Sequence, residues 1–193
     1  MEARLRPWRV DDAPALTEAW ARSGDLGPQT GDADLSDPLA ARSFIEQHML
    51  QEPGAGGAPS RNWAVDVDGQ AVGNIGLSAI ELRHGTAWAY YWLSRSVRGR
   101  GLAARGLASV AAWAFEQDLF RLELGHRTNN PASCSVALRA GFLAEGIERQ
   151  KLRYGQERYD VELHARLATD PAPSTSLLPL QRPSSGDRES VTT

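Results

Sequence analysis

The chain carries a single cysteine, Cys134, in 193 residues, which excludes internal disulfides and any metal site built on several thiolates. Its four histidines, His48, His84, His126 and His164, show no HExxH or paired-ligand spacing, so no metal is expected. Long apolar runs are absent as well. Nothing approaches the ~20 uninterrupted residues of a membrane helix, and Met1 to Arg9 alternates arginine with leucine and tryptophan instead of forming a signal-peptide core. A cytoplasmic protein with no membrane association is expected. The formal charge of -3 gives no general attraction to phosphate backbones, so no nucleic-acid partner is expected either. Lys151 is the only lysine among 21 basic residues, a bias that, with the abundant alanine and glycine, points to a GC-rich bacterial genome.

What is present suffices for one core: 41% of the residues are apolar, and one domain over residues 1–168 is expected. Ala3 to Pro7 reads as a strand, followed by a helix capped by Asp11 or Asp12 with Ala15, Leu16, Ala19 and Trp20 at helical spacing. Ser36 is the expected N-cap of a second helix, which ends in the flexible loop Pro53 to Ser60. Trp63 to Val67 and Ala71 to Ser78 pair as a hairpin across Asp68-Gly69. Thr86 to Leu93 is an aromatic-rich buried strand, Gly101 to Phe115 a helix, Arg121 to His126 a strand, and Pro131 to Ala140 a helix closed by Gly141. Two last strands are expected near Phe142 to Leu152 and Arg158 to Leu167. Residues 169–193 are rich in Pro, Ser and Thr without periodicity and are expected to be a disordered, dispensable tail.

The segment that points to chemistry is Tyr91 to Ala103, a strand, a glycine-containing turn and a helix start. Gly99 and Gly101 let consecutive N–H groups converge, the helix N-terminus adds partial positive charge, and Arg98 and Arg100 add formal charge. The result is an anion cradle suited to a pyrophosphate. The same residues admit other readings. Gly99-Arg100-Gly101-Leu102-Ala103-Ala104 fits a GxGxxA dinucleotide fingerprint, with Glu123 placed as the ribose-binding acid, although Ser94 to Arg98 intervene between the strand and its first glycine. No Gly-Lys-Ser/Thr exists for a Walker loop. A glycine-rich helix start on a solvated surface is the plain structural alternative.

Arg98-x-x-Gly101-x-Ala103 resembles the acyl-CoA pyrophosphate signature, Gln/Arg-x-x-Gly-x-Gly/Ala, of the GNAT superfamily of N-acetyltransferases. Asn130-Pro131-Ala132-Ser133, then Val136 and Arg139-Ala140-Gly141-Phe142, resembles the Asn-x-x-Ser and Gly-Phe segment of its RimJ/RimL-type branch; Glu145-Gly146, Tyr159-Asp160 and Leu5-Arg6-Pro7 continue the match. The resemblance implies an α/β fold of the α+β type. Its central mixed, mostly antiparallel twisted sheet would have about six to seven strands, flanked by about four helices and splayed to admit acyl-CoA. It implies acetyl-CoA as acyl donor, with Trp92, Leu93 and Ser94 offering backbone hydrogen bonds to pantetheine. Arg98, Gly99, Arg100, Gly101, Leu102 and Ala103 would hold the pyrophosphate, and Asn130 and Ser133 would lie near the thiol. Asn130 reads equally as the N-cap of its helix. Cys134 is expected to pack as a small apolar residue.

The resemblance also implies direct transfer, in which a neutral amine attacks the thioester and the departing sulfur takes a proton. Many relatives use a tyrosine where Ala137 stands here and a glutamate where Trp88 stands. Ser133 is therefore the candidate acid, and Glu123, His126, Tyr90 or Tyr91 could orient a water. The acceptor is a protein or peptide α-amine or a small-molecule amine, and the protein a monomer or homodimer. The alternatives are a CoA-binding module without catalysis, a transferase for another acyl-CoA such as succinyl-CoA, and a nucleotide-dependent oxidoreductase.

Overall fold

The computed structural model describes residues 2–27, 30–31, 33–50 and 60–181. Its spine is one sheet built from β1 (Ala3–Arg6), β2 (Arg61–Val67), β3 (Gln70–Glu81), β4 (Thr86–Leu93), β5 (Arg121–Arg127), β6 (Leu143–Tyr154) and β7 (Glu157–Leu167). The spatial order is β1-β2-β3-β4-β5-β7-β6, and every neighbouring pair is antiparallel except β4 and β5. A parallel pair cannot be joined by a hairpin and needs a crossover, which α3 (Leu102–Glu116) supplies. With α1 (Ala13–Arg22), α2 (Pro38–Phe44) and α4 (Pro131–Arg139), this is the expected mixed, mostly antiparallel α/β architecture.

The period-2 alternation of the strands divides the apolar residues between two layers. Ile75, Leu77, Ala89 and Leu122 face α3 and α4 together with Leu107 and Phe142. On the opposite side Trp92 joins Trp8, Leu16, Leu26 and Ile45 beneath α1 and α2. No helix among the described residues is long and apolar enough to cross a membrane.

Two helix starts differ from the sequence expectation for stated reasons. Asp12 precedes α1, but its side chain does not cap it. Its carboxylate instead accepts from Arg6 Nη1 and Nη2 at 2.7 Å and from Arg9 N at 2.9 Å, while Arg6 Nε donates to Asp66 at 2.6 Å. Arg6 is fully buried, and an unpaired buried guanidinium would cost more than a missing cap, so the cation claims the carboxylate. At α2 the cap is Asp37 and not Ser36: Asp37 Oδ2 accepts from Ala40 N at 3.2 Å, with Pro38 pre-set in the first turn. Ala41, Ile45 and Met49 are buried where α2 runs on into a π-helical turn, Ile45–Met49. Most of the expected loop from Pro53 to Ser60 lies outside the described residues.

The expected tail boundary is corrected by the structure. Residues 169–181 are placed against the domain: Leu5 N donates to Pro179 O and Gln181 N to Leu5 O, both at 2.8 Å, so the chain lies parallel to the outer edge of β1. Leu178 is buried, its N–H donates to Ser109 Oγ at 2.8 Å, and the same hydroxyl faces Leu178 O at 2.9 Å. Composition alone misread this segment, because one buried leucine and an unpaired sheet edge offset the ordering entropy of an otherwise polar stretch. Residues 182–193 lie outside the described residues.

Candidate active site

The parallel register of β4 and β5 ends at Trp88 opposite Glu123, although β4 continues to Leu93 and β5 to Arg127. The two strands therefore diverge. Backbone groups alternate between the two flanking sides of a strand, and Ser94 N donates to Val72 O at 2.8 Å, on the β3 side. By the same alternation Trp92 faces β3, while Tyr91 and Leu93 face the gap. This corrects the expected backbone contacts of Trp92 and Ser94, although Trp92 lines the cavity together with Leu93. Ser94 has its N–H on Val72 and its C=O on Val97 N, and it does not line the cavity that opens here.

That cavity measures about 360 Å3 and lies between β4, the turn before α3, and α4. Gly99 and Gly101, at φ 76° and 75°, both adopt the left-handed conformation. An added Cβ at either would meet no atom within 4 Å, so backbone conformation and not crowding calls for glycine. Gly101 is the N-cap of α3 and provides no side-chain acceptor, which leaves the first-turn amides of Leu102, Ala103 and Ala104 on the cavity wall without a cap. Their dipoles favour an anion.

Arg98 also lines the cavity, but its guanidinium is committed: Nη1 and Nη2 donate to Asp25 at 2.7 and 3.0 Å, and Nε to Leu93 O at 2.9 Å. The bond from Arg98 lowers the pKa of Asp25, which keeps that carboxylate ionised. Arg98 thus ties the segment after α1 to the turn and offsets an acid that would otherwise repel an anion. Arg100 turns back onto Ser96 O at 3.3 Å and is not part of the wall.

α4 forms the other side. Asn130 and Ser133 line the cavity, and Asn130 Oδ1 accepts from Ser133 N at 3.2 Å, so Asn130 is an N-cap as well as a wall residue. Tyr91 lies with them. Its hydroxyl is buried and has no hydrogen-bond partner within geometric limits; burial raises its pKa, while nearby Ser133 works in the other direction. A buried hydroxyl with no partner in the fold is one that a ligand atom in the cavity can satisfy.

The other catalytic candidates are not brought to the cavity. Tyr90 projects from the opposite face of β4 and donates to Asn62 Oδ1 at 2.7 Å, within a buried network that continues through Asn74 to Trp8. The Glu123 carboxylate is held by Arg121 Nε at 2.6 Å and does not line the cavity, which also deprives the dinucleotide reading of its ribose acid. Strand alternation separates Tyr90 from Tyr91, and it was the available signal for choosing the latter. Arg139 joins the wall unforeseen, yet Ala132, Ser135, Val136 and Arg139 recur at helical spacing on one face of α4. His126, His164, Glu162 and Cys134, which have no common spacing in sequence, converge between α4, β5 and β7.

Comparison with known proteins agrees with this geometry. Residues 3–143 match the family model of the acetyltransferase (GNAT) domain. A ribosomal-protein-serine acetyltransferase of Escherichia coli K12 is 35% identical over 99 residues, a stretch covering 51% of this chain and 55% of that relative's length. RimL, a ribosomal L7/L12 α-N-protein acetyltransferase solved in complex with coenzyme A, superposes with a TM-score of 0.74 at 24% identity, covering 86% of this chain and 94% of that one. Mycobacterium smegmatis RimJ gives 0.71 at 24% identity, covering 86% and 82%. The splayed strands, the glycine-built cradle and a family match over most of the sequence converge on one statement: the chain belongs to the GNAT acetyltransferase family.

Proposed function

We propose that the protein transfers an acetyl group from acetyl-CoA to a primary amine, by direct attack in a ternary complex. The observation that carries this reading is the continuity of one cavity from the uncapped amides of α3 to the gap between β4 and β5, where Tyr91 and Ser133 stand. Gly99, Gly101, Leu102, Ala103 and Ala104 hold the diphosphate through main-chain amides. The backbone of Tyr91 and Leu93 serves the pantetheine arm. Tyr91, kept protonated by burial, and Ser133 are the hydroxyls available to the departing sulfur. Access to acetyl-CoA agrees with a cytoplasmic location.

Among the described residues the cavity wall carries no histidine or glutamate, and Asp25 on it is paired with Arg98. An acceptor that is already neutral needs no base from the protein. An α-amine with a pKa of about 7.7–8.0 is neutral for roughly one molecule in ten at pH 7, whereas a lysine amine at about 10.4 is neutral for roughly one in a few thousand. A peptide or protein N-terminus is therefore the favoured acceptor, in keeping with the ribosomal-protein-serine activity named for the Escherichia coli relative. The test is a thiol-release screen with acetyl-CoA against peptides with free or blocked N-termini and against small amines. Release with free N-termini and none with blocked, lysine-containing peptides is the expected outcome. No release with any amine, despite binding of coenzyme A, would make the protein a non-catalytic binding module.

A further inference from the structure

We propose that His126, Cys134, Glu162 and His164 form a closed, four-ligand divalent-metal site suited to Zn2+, joining α4 to β5 and β7. His126 stands directly opposite Glu162 in the β5–β7 ladder, so both project from the same face. His164 follows Glu162 by two residues and shares that face as well. Cys134 reaches the same point from the first turn of α4. One ligand atom from each of the four lies within 4.8 Å of all the others. His126 Nε2 is 3.1 Å from His164 Nε2, and Glu162 Oε2 is 3.3 and 3.1 Å from these two nitrogens. Tetrahedral zinc with bonds of about 2.0–2.3 Å separates its ligands by about 3.3–3.8 Å, so small side-chain adjustments complete the polyhedron.

The hydrogen bonds made by the other ring nitrogens fix the chemistry. His126 Nδ1 lies 3.0 Å from Arg127 O, and His164 Nδ1 lies 3.3 Å from Phe142 O. A carbonyl oxygen can only accept, so both rings carry a proton on Nδ1 and turn Nε2 toward each other and toward the Glu162 carboxylate. Three atoms that each offer a lone pair at 3.1–3.3 Å need positive charge among them, from a metal ion or from protons on Nε2. This is the arrangement in which metal-bound imidazoles are anchored through their other nitrogen. Both histidines are more than nine-tenths buried. One thiolate and one carboxylate balance a divalent ion exactly in charge, which removes the cost of burying any of the three alone. The metal takes thiolate, carboxylate and unprotonated Nε2, so the proton of Cys134 Sγ and any on Nε2 leave to solvent as it binds. A donor set of two nitrogens, one sulfur and one oxygen suits zinc over magnesium or calcium, which prefer oxygen. With all four positions filled by the protein there is none left for substrate, so the role is structural. It pins the helix that carries Asn130 and Ser133, and it stands whether or not acetyl-CoA is the donor.

The test uses the full chain without a polyhistidine tag. Metal analysis after dialysis against Zn2+ and then metal-free buffer should find about one zinc per chain. Co2+ substitution should give the strong visible bands of a tetrahedral site and a near-ultraviolet thiolate-to-cobalt band, and Cys134→Ser should abolish the latter. Because Cys134 is the sole cysteine, its reaction with a thiol reagent should slow on adding Zn2+ and recover with a chelator. His164→Ala should weaken binding by more than the roughly 10–100-fold lost when only a hydrogen-bond partner of a ligand is changed; if that variant does not fold, Glu162→Gln serves. A folded chain that retains no zinc overturns the proposal. So does cobalt binding without a thiolate band, or cysteine reactivity indifferent to zinc; the charge between the histidines would then be a shared proton.

Discussion

Replacing Gly101 with alanine separates the two tasks assigned to the turn before α3. The residue sits at φ 75° with open space around its α-carbon, so the added methyl clashes with nothing in the protein and the cost to folding is conformational. Left-handed backbone costs an alanine about 1–2 kcal/mol, which in a domain of this size lowers Tm by roughly 2–8 °C. If the chain relieves that strain by rotating the turn, the amides of Gly101 and Leu102 swing away from the diphosphate. Each charge-assisted hydrogen bond lost costs about 1.5–3 kcal/mol, a fall in coenzyme A affinity of roughly 10- to 150-fold per bond. Calorimetric titration of coenzyme A and of pantetheine, which lacks the diphosphate, into both proteins isolates this effect, with urea melts run alongside. Coenzyme A affinity should collapse while pantetheine affinity stays unchanged. Equal losses for both ligands, or an unchanged coenzyme A Kd, would refute the main-chain diphosphate cradle.

Leu178→Ala should destabilise the fold by about 2–5 kcal/mol in urea melts, because a fully buried leucine is removed from a docked segment; a disordered tail would show no change. Tyr91→Phe combined with Ser133→Ala should lower turnover far more than acetyl-CoA affinity, with each single variant intermediate, as steady-state kinetics alongside direct binding would reveal. The Asp25–Arg98 pair should add an acid-sensitive part to folding stability. Arg98 holds the folded-state pKa of Asp25 below its unfolded value, so the contribution is complete above the unfolded value of about 3.9 and fades as pH falls through the lower, folded one. Asp25→Asn should remove that acid-side change in urea melts run as a pH series.

The order and type of nearly every element were legible in the sequence, because they depend on local physics. Alternating apolar residues, Asp68-Gly69 at a hairpin and Gly141 ending α4 act over a few positions, and the structure has them where periodicity put them. The glycine cradle was legible for the same reason: its strand, turn and helix start are contiguous. Only tertiary structure decided which strand faces bear on the cavity, and so Tyr91 replaced Tyr90 and Leu93 kept a role that Ser94 lost. It also decided where charges go, since Asp12 serves Arg6 and Arg98 holds Asp25 through contacts that no local pattern announces. The docking of residues 169–181 depends on an unpaired edge at the other end of the chain. The His126, Cys134, Glu162 and His164 cluster is the extreme case: its members are spread over three elements, and only the β5–β7 register and the placement of α4 over it make them neighbours.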